Sequence, residues 1–147
     1  MAEAQENPAV IAAIAASYLR QGRLLDQISR GLTLIGSVAV IVGTYASAPL
    51  AVIGLAALSV LFGLAETYFA LRAGFDAEIF SHLATGSFSA TTFDGSMKRL
   101  KLIHSNRTPR PMSDRARGAM VLVRYQAMAM GLQIVSILTL PLLGILL

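Results

Sequence analysis

Two residues of opposite charge, Glu66 and Arg124, stand within otherwise apolar stretches of the chain and are the first candidates for chemistry. An ionisable side chain inside a membrane is costly, so it is a functional candidate by default. Both lie about five residues inside the inner ends of their predicted spans, which is about 7–8 Å deep at the helical rise. Four roles are open: a structural ion pair, snorkelling to the interface, contact with a partner subunit, or ion or proton handling by Glu66.

Metal and cofactor chemistry has little support in the sequence. His82 and His104 lie outside the apolar stretches, and we expect them to be surface or interfacial residues rather than metal ligands. The chain contains no cysteine, which excludes a thiolate nucleophile and a Cys-ligated metal. It also lacks a phosphate-binding glycine loop, a nucleophile elbow and an H-E-x-x-H motif. We therefore predict a non-enzymatic protein with no metal and no cofactor.

A basic cluster is the strongest surface signal, and its members are Lys98, Arg99, Lys101, Arg107, Arg110, Arg115 and Arg117. Each basic residue near an anionic leaflet contributes about 1 kcal/mol of attraction. Anionic lipid is therefore the first expected partner of the cluster, and an acidic protein is the second. The sequence pI near 10.0 could suggest nucleic acid, but the positive-inside bias alone makes small membrane proteins basic. We therefore predict no nucleic-acid partner.

The distribution of charge indicates the elements that position these residues. Residues 31–65 and 125–147 carry no charge, and only 14% of the 147 residues are charged, where a soluble domain has about a quarter. We predict an all-α integral membrane protein with three transmembrane helices and amphipathic cytoplasmic helices. A helical hairpin occupies residues 32–71, with spans at 32–48 and 49–71, and a third span occupies residues 118–147.

The N-terminal segment, residues 1–31, is predicted to be a cytoplasmic or interfacial helix that begins at Asn7-Pro8. Its 3-4 spaced stripe continues into the first span and consists of Ile11, Ile14, Tyr18, Gln21, Leu25, Ile28, Leu32 and Ile35. The helix could lie on the membrane, pack on its own chain, or pair with a partner protein. Gly22 and Gly31 are candidate points for a bend.

Small residues recur every four positions on both arms of the hairpin. They are Ala39, Gly43 and Ser47 on the first arm, and Ser59, Gly63 and Thr67 on the second. Such ridges let helix backbones approach closely in lipid. The ridges are expected to face each other or another subunit.

Residues 72–117 form a basic loop with two predicted amphipathic helices. The apolar stripe of the first helix is the candidate docking surface for a partner: Phe75, Ile79, Phe80 and Leu83. Residues 86–89 break this helix, Thr92 is expected to cap a second short helix, and Ser113 is expected to cap the final helix. About 45 residues are too few to bury a core of their own, so these helices must lie against lipid, the N-terminal helix or another protein.

One topology places all 12 Lys and Arg residues on the same side of the membrane, which the positive-inside rule makes cytoplasmic. We therefore predict a bacterial-type inner-membrane protein with its N-terminus inside and its C-terminus outside. The predicted function is that of an accessory, anchoring or assembly subunit whose partners are other membrane subunits. The alternatives are a small self-associating channel or proton-handling protein that uses Glu66, and an immunity-type membrane protein.

Overall fold

The computed structural model describes residues 7–101 and 110–146, and over these ranges the chain is helical with no strand. The elements are α1 (Pro8–Tyr45), α2 (Leu50–Ala84), α3 (Ala90–Arg99) and α4 (Met112–Leu146). Helices α1, α2 and α4 pack together as a bundle. One end of the bundle, which we call the charged end, contains the first turns of α1 and α4, the last turns of α2, and the short helix α3. The opposite end, with the α1–α2 turn and the last turns of α4, is the uncharged end.

The predicted start of α1 is confirmed. The side-chain oxygen of Asn7 accepts a hydrogen bond from the Ala9 N–H at 3.0 Å, and Pro8 occupies the first helical position. The helix then continues through Gly22 and Gly31 without a break, so the N-terminal segment and the first span are one helix of 38 residues. The connection to α2 is a short turn over residues 46–49, as the hairpin required.

Three helix boundaries differ from the predicted ones. Helix α2 runs from the second span through the predicted amphipathic segment to Ala84 as one helix. Ser89 rather than Thr92 caps α3, because the Ser89 hydroxyl accepts the Thr92 N–H at 3.1 Å. Helix α4 begins at Met112, one residue before the predicted cap.

Small residues dominate the interior of the bundle, and most successive buried positions are three, four or seven residues apart. The buried residues of α1 are Ala12, Ala15, Ala16, Leu19, Gly22, Ser29 and Gly36. Those of α2 are Ala56, Ser59, Gly63, Glu66, Ala73, Ala77 and Phe80. Those of α4 are Ala116, Ala119, Val123, Gln126, Ala129, Gln133 and Ser136. This pattern is that of a coiled-coil seam in which small side chains bring the backbones together.

Most large apolar residues of α1, including much of the predicted stripe, lie outside the core, and Leu19 is the buried exception. Ile14, Ile28 and Ile35 are exposed, whereas Ile11 and Leu25 are only half-buried at the edge of the core. The buried face lies one position further along the chain and, apart from Leu19, consists of small residues. The physical reason is that large side chains lose little by facing lipid, while close helix packing needs small ones.

The small-residue ridge of α2 packs within its own chain. A Cβ atom built on Gly36 of α1 would lie 3.1 Å from the Ser59 hydroxyl, and one built on Gly63 would meet Thr33 and Gln133. Gly43, which the sequence placed on the opposing ridge, instead faces Ile53 and Ala48. The α2 ridge therefore belongs to the intramolecular interface, and its main contact on α1 is centred on Gly36.

Helices α1, α2 and α4 are long and apolar enough to cross a membrane, which is consistent with a multi-pass membrane protein. Their 38, 35 and 35 residues correspond to lengths of about 52–57 Å at 1.5 Å per residue. A hydrocarbon core is about 30 Å thick. Each helix therefore has about 22–27 Å that the hydrocarbon core does not cover.

Substitution of Gly63 by Ala tests this close packing. A Cβ atom there would collide with the Thr33 hydroxyl and lie 2.6 Å from Gln133 Nε2. We expect a loss of about 1–3 kcal/mol in stability, the usual cost of overpacking, measured as a lower unfolding temperature by circular dichroism in detergent. Gly54→Ala is the matched control, because a Cβ there meets nothing within 4 Å. Equal unfolding temperatures for the two variants would contradict the packing described.

Candidate functional site

A glutamine of α4 joins all three long helices at one level of the core. Gln126 Nε2 donates to the Glu66 carboxyl oxygen Oε1 on α2 at 2.6 Å, and also to the Gly22 carbonyl on α1 at 2.6 Å. Glu66 and Gln126 are both 0% exposed. We call these three residues the Gln126 layer.

A second glutamine builds another polar layer further toward the uncharged end. Gln133 Nε2 donates to the Thr33 hydroxyl at 2.9 Å and to the Ser29 carbonyl at 3.2 Å. Gln133 Oε1 accepts from the Ser29 hydroxyl at 2.7 Å. We call these residues the Gln133 layer. Every polar atom of the Gln133 side chain has a partner, so this network is a completed link between α1 and α4.

The register of two parallel helices explains why these residues meet. Gly22 and Gln126 are 104 positions apart, and so are Ser29 and Gln133. The two pairs are separated by two helical turns, or about 10 Å along the axis. The hydrogen bonds of both layers therefore tie α4 to this register on α1.

The Gln126 layer, unlike the Gln133 layer, is incomplete. Glu66 Oε2 and Gln126 Oε1 are fully buried and have no protein hydrogen-bond partner. Outside this layer, the Ser59 hydroxyl is also buried without a partner. Leaving a buried polar atom unpaired costs about 1–3 kcal/mol. Two such atoms on side chains that already contact each other make the Gln126 layer the candidate functional site.

The structure does not bring Glu66 and Arg124 together. Arg124 lies only two positions before Gln126 on α4, but residues at that spacing face different directions, and Arg124 is exposed. The carboxyl contact expected from Arg124 is instead made by the neutral amide of Gln126. The sequence contains a signal for the pairing of α4 with α1: Gln126 and Gln133 are seven residues apart, as are Gly22 and Ser29 on α1.

The four residues predicted to dock a partner divide into three groups. Phe80 is only 5% exposed and packs in its own core with alanines of the three long helices, so it is not a free docking residue. Ile79 and Leu83 are half-buried and line a groove of about 200 Å³ together with Phe93 of α3. Phe75 is 59% exposed.

The basic cluster is largely exposed. Arg115 is the exception, since it forms a two-bond ion pair with Asp94 of α3, with one N–O distance of 2.8 Å. The other described members are exposed: Lys98, Arg99, Lys101, Arg110 and Arg117. Arg107 falls outside the described ranges. The exposed members are available to lipid headgroups or an acidic partner.

The histidines do not form a metal centre in the part of the chain that the structure describes. His82 is exposed, and its ring lies 5.7 Å from the Phe88 ring. His104 lies in the segment left out of the description. No group of three His, Cys, Asp or Glu side chains is placed to hold a metal among residues 7–101 and 110–146.

The chain matches no protein-family model, no curated protein and no solved structure.

The Asp94–Arg115 pair predicts a pH-dependent attachment of α3. Its hydrogen bonds hold the pKa of Asp94 below the usual range, so the pair stabilises the attachment above a pH of about 3.9, the ordinary carboxyl value. The stabilisation is lost as the pH falls through the lowered pKa. A nitroxide label on Gly95→Cys, where a side chain has free space, should become more mobile on acidification.

Asp94→Asn provides the control for this experiment. The label should already be mobile at neutral pH in that variant, because the charged pair is absent, and its mobility should no longer change with pH. A label whose mobility is the same with and without Asp94 would show that the pair does not hold α3.

Proposed function

We propose that this protein is a non-catalytic accessory subunit of a larger complex in a bacterial-type inner membrane, and that α1 is its assembly helix. The observation that supports this most directly is a second stripe on α1, which faces away from the bundle. Its positions alternate by four and three residues, and all are exposed: Val10, Ile14, Ser17, Gln21, Leu24, Ile28, Gly31, Ile35, Val38 and Val42. We call this the outer stripe.

The outer stripe has the composition of a helix-packing surface. Seven of its ten positions carry large exposed apolar side chains, at the 3-4 spacing that presents knobs to another helix. At Gly31, a Cβ atom would meet nothing within 4 Å, so a second backbone can approach closely there. Helix α1 thus carries one heptad face for its own bundle and another for a partner.

Lipid can cover only part of this stripe. Ile14 is 31 positions before Tyr45, the end of α1, which is about 46 Å along the helix and about 16 Å beyond a hydrocarbon core that starts at Tyr45. Ile14 is nevertheless 58% exposed. Exposed apolar surface outside the bilayer is typical of protein interfaces. A helix of another membrane subunit, extending along α1 past the bilayer surface, is the partner that fits this length.

The orientation follows from charge. All 12 basic residues precede Tyr125 and lie outside the uncharged stretch 31–65, so the charged end is cytoplasmic by the positive-inside rule. The exposed members of the basic cluster then face anionic headgroups or an acidic part of the partner. The complete burial of Glu66 within one bundle gives no support to a channel lined by Glu66 between copies of the chain.

Photo-crosslinking along α1 tests the assembly helix. A photoreactive amino acid at Val10, Ile14 or Gln21, introduced into the full chain in its native membrane, should yield an adduct with one unlike protein. The same amino acid at Arg23, which is exposed and has no residue of the outer stripe three or four positions away, should yield much less. Adducts of twice the mass of the chain would indicate self-association instead, and equal yields at all positions would contradict a specific helix interface.

Reporter fusions test the orientation. A reporter that is active only in the periplasm should be active when fused after Leu147, and one that is active only in the cytoplasm should be active when inserted near Asn106. The opposite pattern would overturn the assignment of the charged end to the cytoplasm, because that assignment rests on the distribution of basic residues.

A further inference from the structure

We propose that Glu66 and Gln126 form a proton-binding site, in which the Glu66 carboxyl carries a proton and donates it to Gln126 Oε1. We further propose that this site exchanges its proton with the charged end of the bundle. The proposal is independent of the accessory role, which depends on the outer stripe of α1 and not on the core.

The hydrogen-bond count within the Gln126 layer is the first argument. The Gln126 amide nitrogen donates to both the Gly22 carbonyl and Glu66 Oε1, which uses both of its hydrogens. Two oxygen atoms are left, Glu66 Oε2 and Gln126 Oε1, and neither has a hydrogen-bond partner. The Ser29 hydroxyl also lies near Glu66, but it donates its one hydrogen to Gln133 Oε1. If Glu66 is ionised, both oxygen atoms are acceptors, and neither can donate a hydrogen bond to the other.

A single proton on Glu66 gives both unpaired oxygen atoms a hydrogen-bond partner. A proton on Glu66 Oε2 makes that atom a donor, and the unpaired Gln126 Oε1 is an acceptor on the very side chain that Glu66 already contacts at 2.6 Å. We infer that rotation about the terminal side-chain torsions, which are soft, closes the second bond. The product is an acid–amide pair with two hydrogen bonds, and no further group is needed to balance it.

The surrounding charges give the second argument, because no basic group described in the structure forms an ion pair with Glu66. On α1, Arg30 pairs with Asp26 at 2.8 Å. On α2, Arg72 donates to the Tyr68 hydroxyl at 3.1 Å, and on α4 Arg124 is exposed. An ionised Glu66 would therefore be a buried charge without a counter-ion, which is strongly disfavoured.

A crevice between α1 and α2 is the route that we propose for the proton between the charged end and Glu66. It has a volume of about 30 Å³, and its lining includes Gly22, Arg23, Asp26 and Gly74. Gly22 is also the residue whose carbonyl binds Gln126, so the crevice reaches the edge of the site. A space of this size holds a water molecule. The proton passes from water in the crevice to the Glu66 carboxylate and returns the same way, because the paired Gln133 layer lies on the other side.

Infrared difference spectroscopy of the full chain in detergent tests the site. At neutral pH, the wild-type protein should show the carbonyl stretch of a protonated carboxylic acid, and Glu66→Gln should lack it. Glu78→Gln is the matched control, because Glu78 lies on the same helix but is exposed and paired with Arg23; its spectrum should keep the band. A wild-type minus Glu66→Gln difference that contains only carboxylate stretches would overturn the proposal.

Thermal unfolding gives a second, independent measurement. A glutamine at position 66 resembles the protonated acid, and its amide can donate to Gln126 Oε1. Glu66→Gln should therefore unfold at or above the wild-type temperature, while Glu66→Ala should unfold below it. Marked destabilisation by Glu66→Gln would show that the negative charge itself is required, and would overturn the proposal.

The route is tested by the rate at which the acid band shifts after transfer into heavy water. Gly74→Leu places a side chain in the crevice wall and should slow the shift several-fold. Gly54→Leu is the control, because Gly54 also has free space around it but is not among the crevice residues. An equal rate in both variants would overturn the crevice as the path of exchange.

Discussion

The close approach of α1, α2 and α4 is the constraint on which the rest of the structure depends. Most of the buried positions between these helices are Ala, Gly or Ser, and at Gly63 even a methyl group has no room. Because the backbones are close, the amide of Gln126 reaches two other helices at once. The large apolar residues are consequently displaced to the outside, where lipid or a partner covers them.

Close packing of small residues is weakly specific, since an Ala-rich seam tolerates sliding and rotation. The two polar layers supply the missing specificity. Each glutamine is matched to a residue 104 positions away on α1, and loss of these hydrogen bonds would leave buried amides unpaired at a cost of about 1–3 kcal/mol for each group. The Gln133 layer is complete, whereas the Gln126 layer contains two unpaired oxygens. An incomplete layer beside a complete one favours a functional rather than a purely structural role for Glu66 and Gln126.

The outer stripe of α1 and the core of the bundle support two different proposals about function. The outer stripe of α1 continues past the length that a bilayer covers, which is the basis for proposing a partner helix. The Gln126 layer lies inside the bundle and is approached by the crevice at the charged end, which is the basis for proposing a proton site. The two proposals concern opposite faces of α1 and can be tested separately, because the outer stripe contains no residue of either polar layer.

Properties that depend on composition along the chain were determined by the sequence alone: three helices long and apolar enough to cross a membrane, the short hairpin turn, and the start of α1 at Pro8. Properties that depend on the rotation and register of one helix against another were decided only by the tertiary structure. Large and small residues both recur at 3-4 spacing on α1, so periodicity could not select the buried face. For the same reason, charge and depth suggested Arg124 as the partner of Glu66, whereas the rotation of α4 turns Gln126 inward and Arg124 outward.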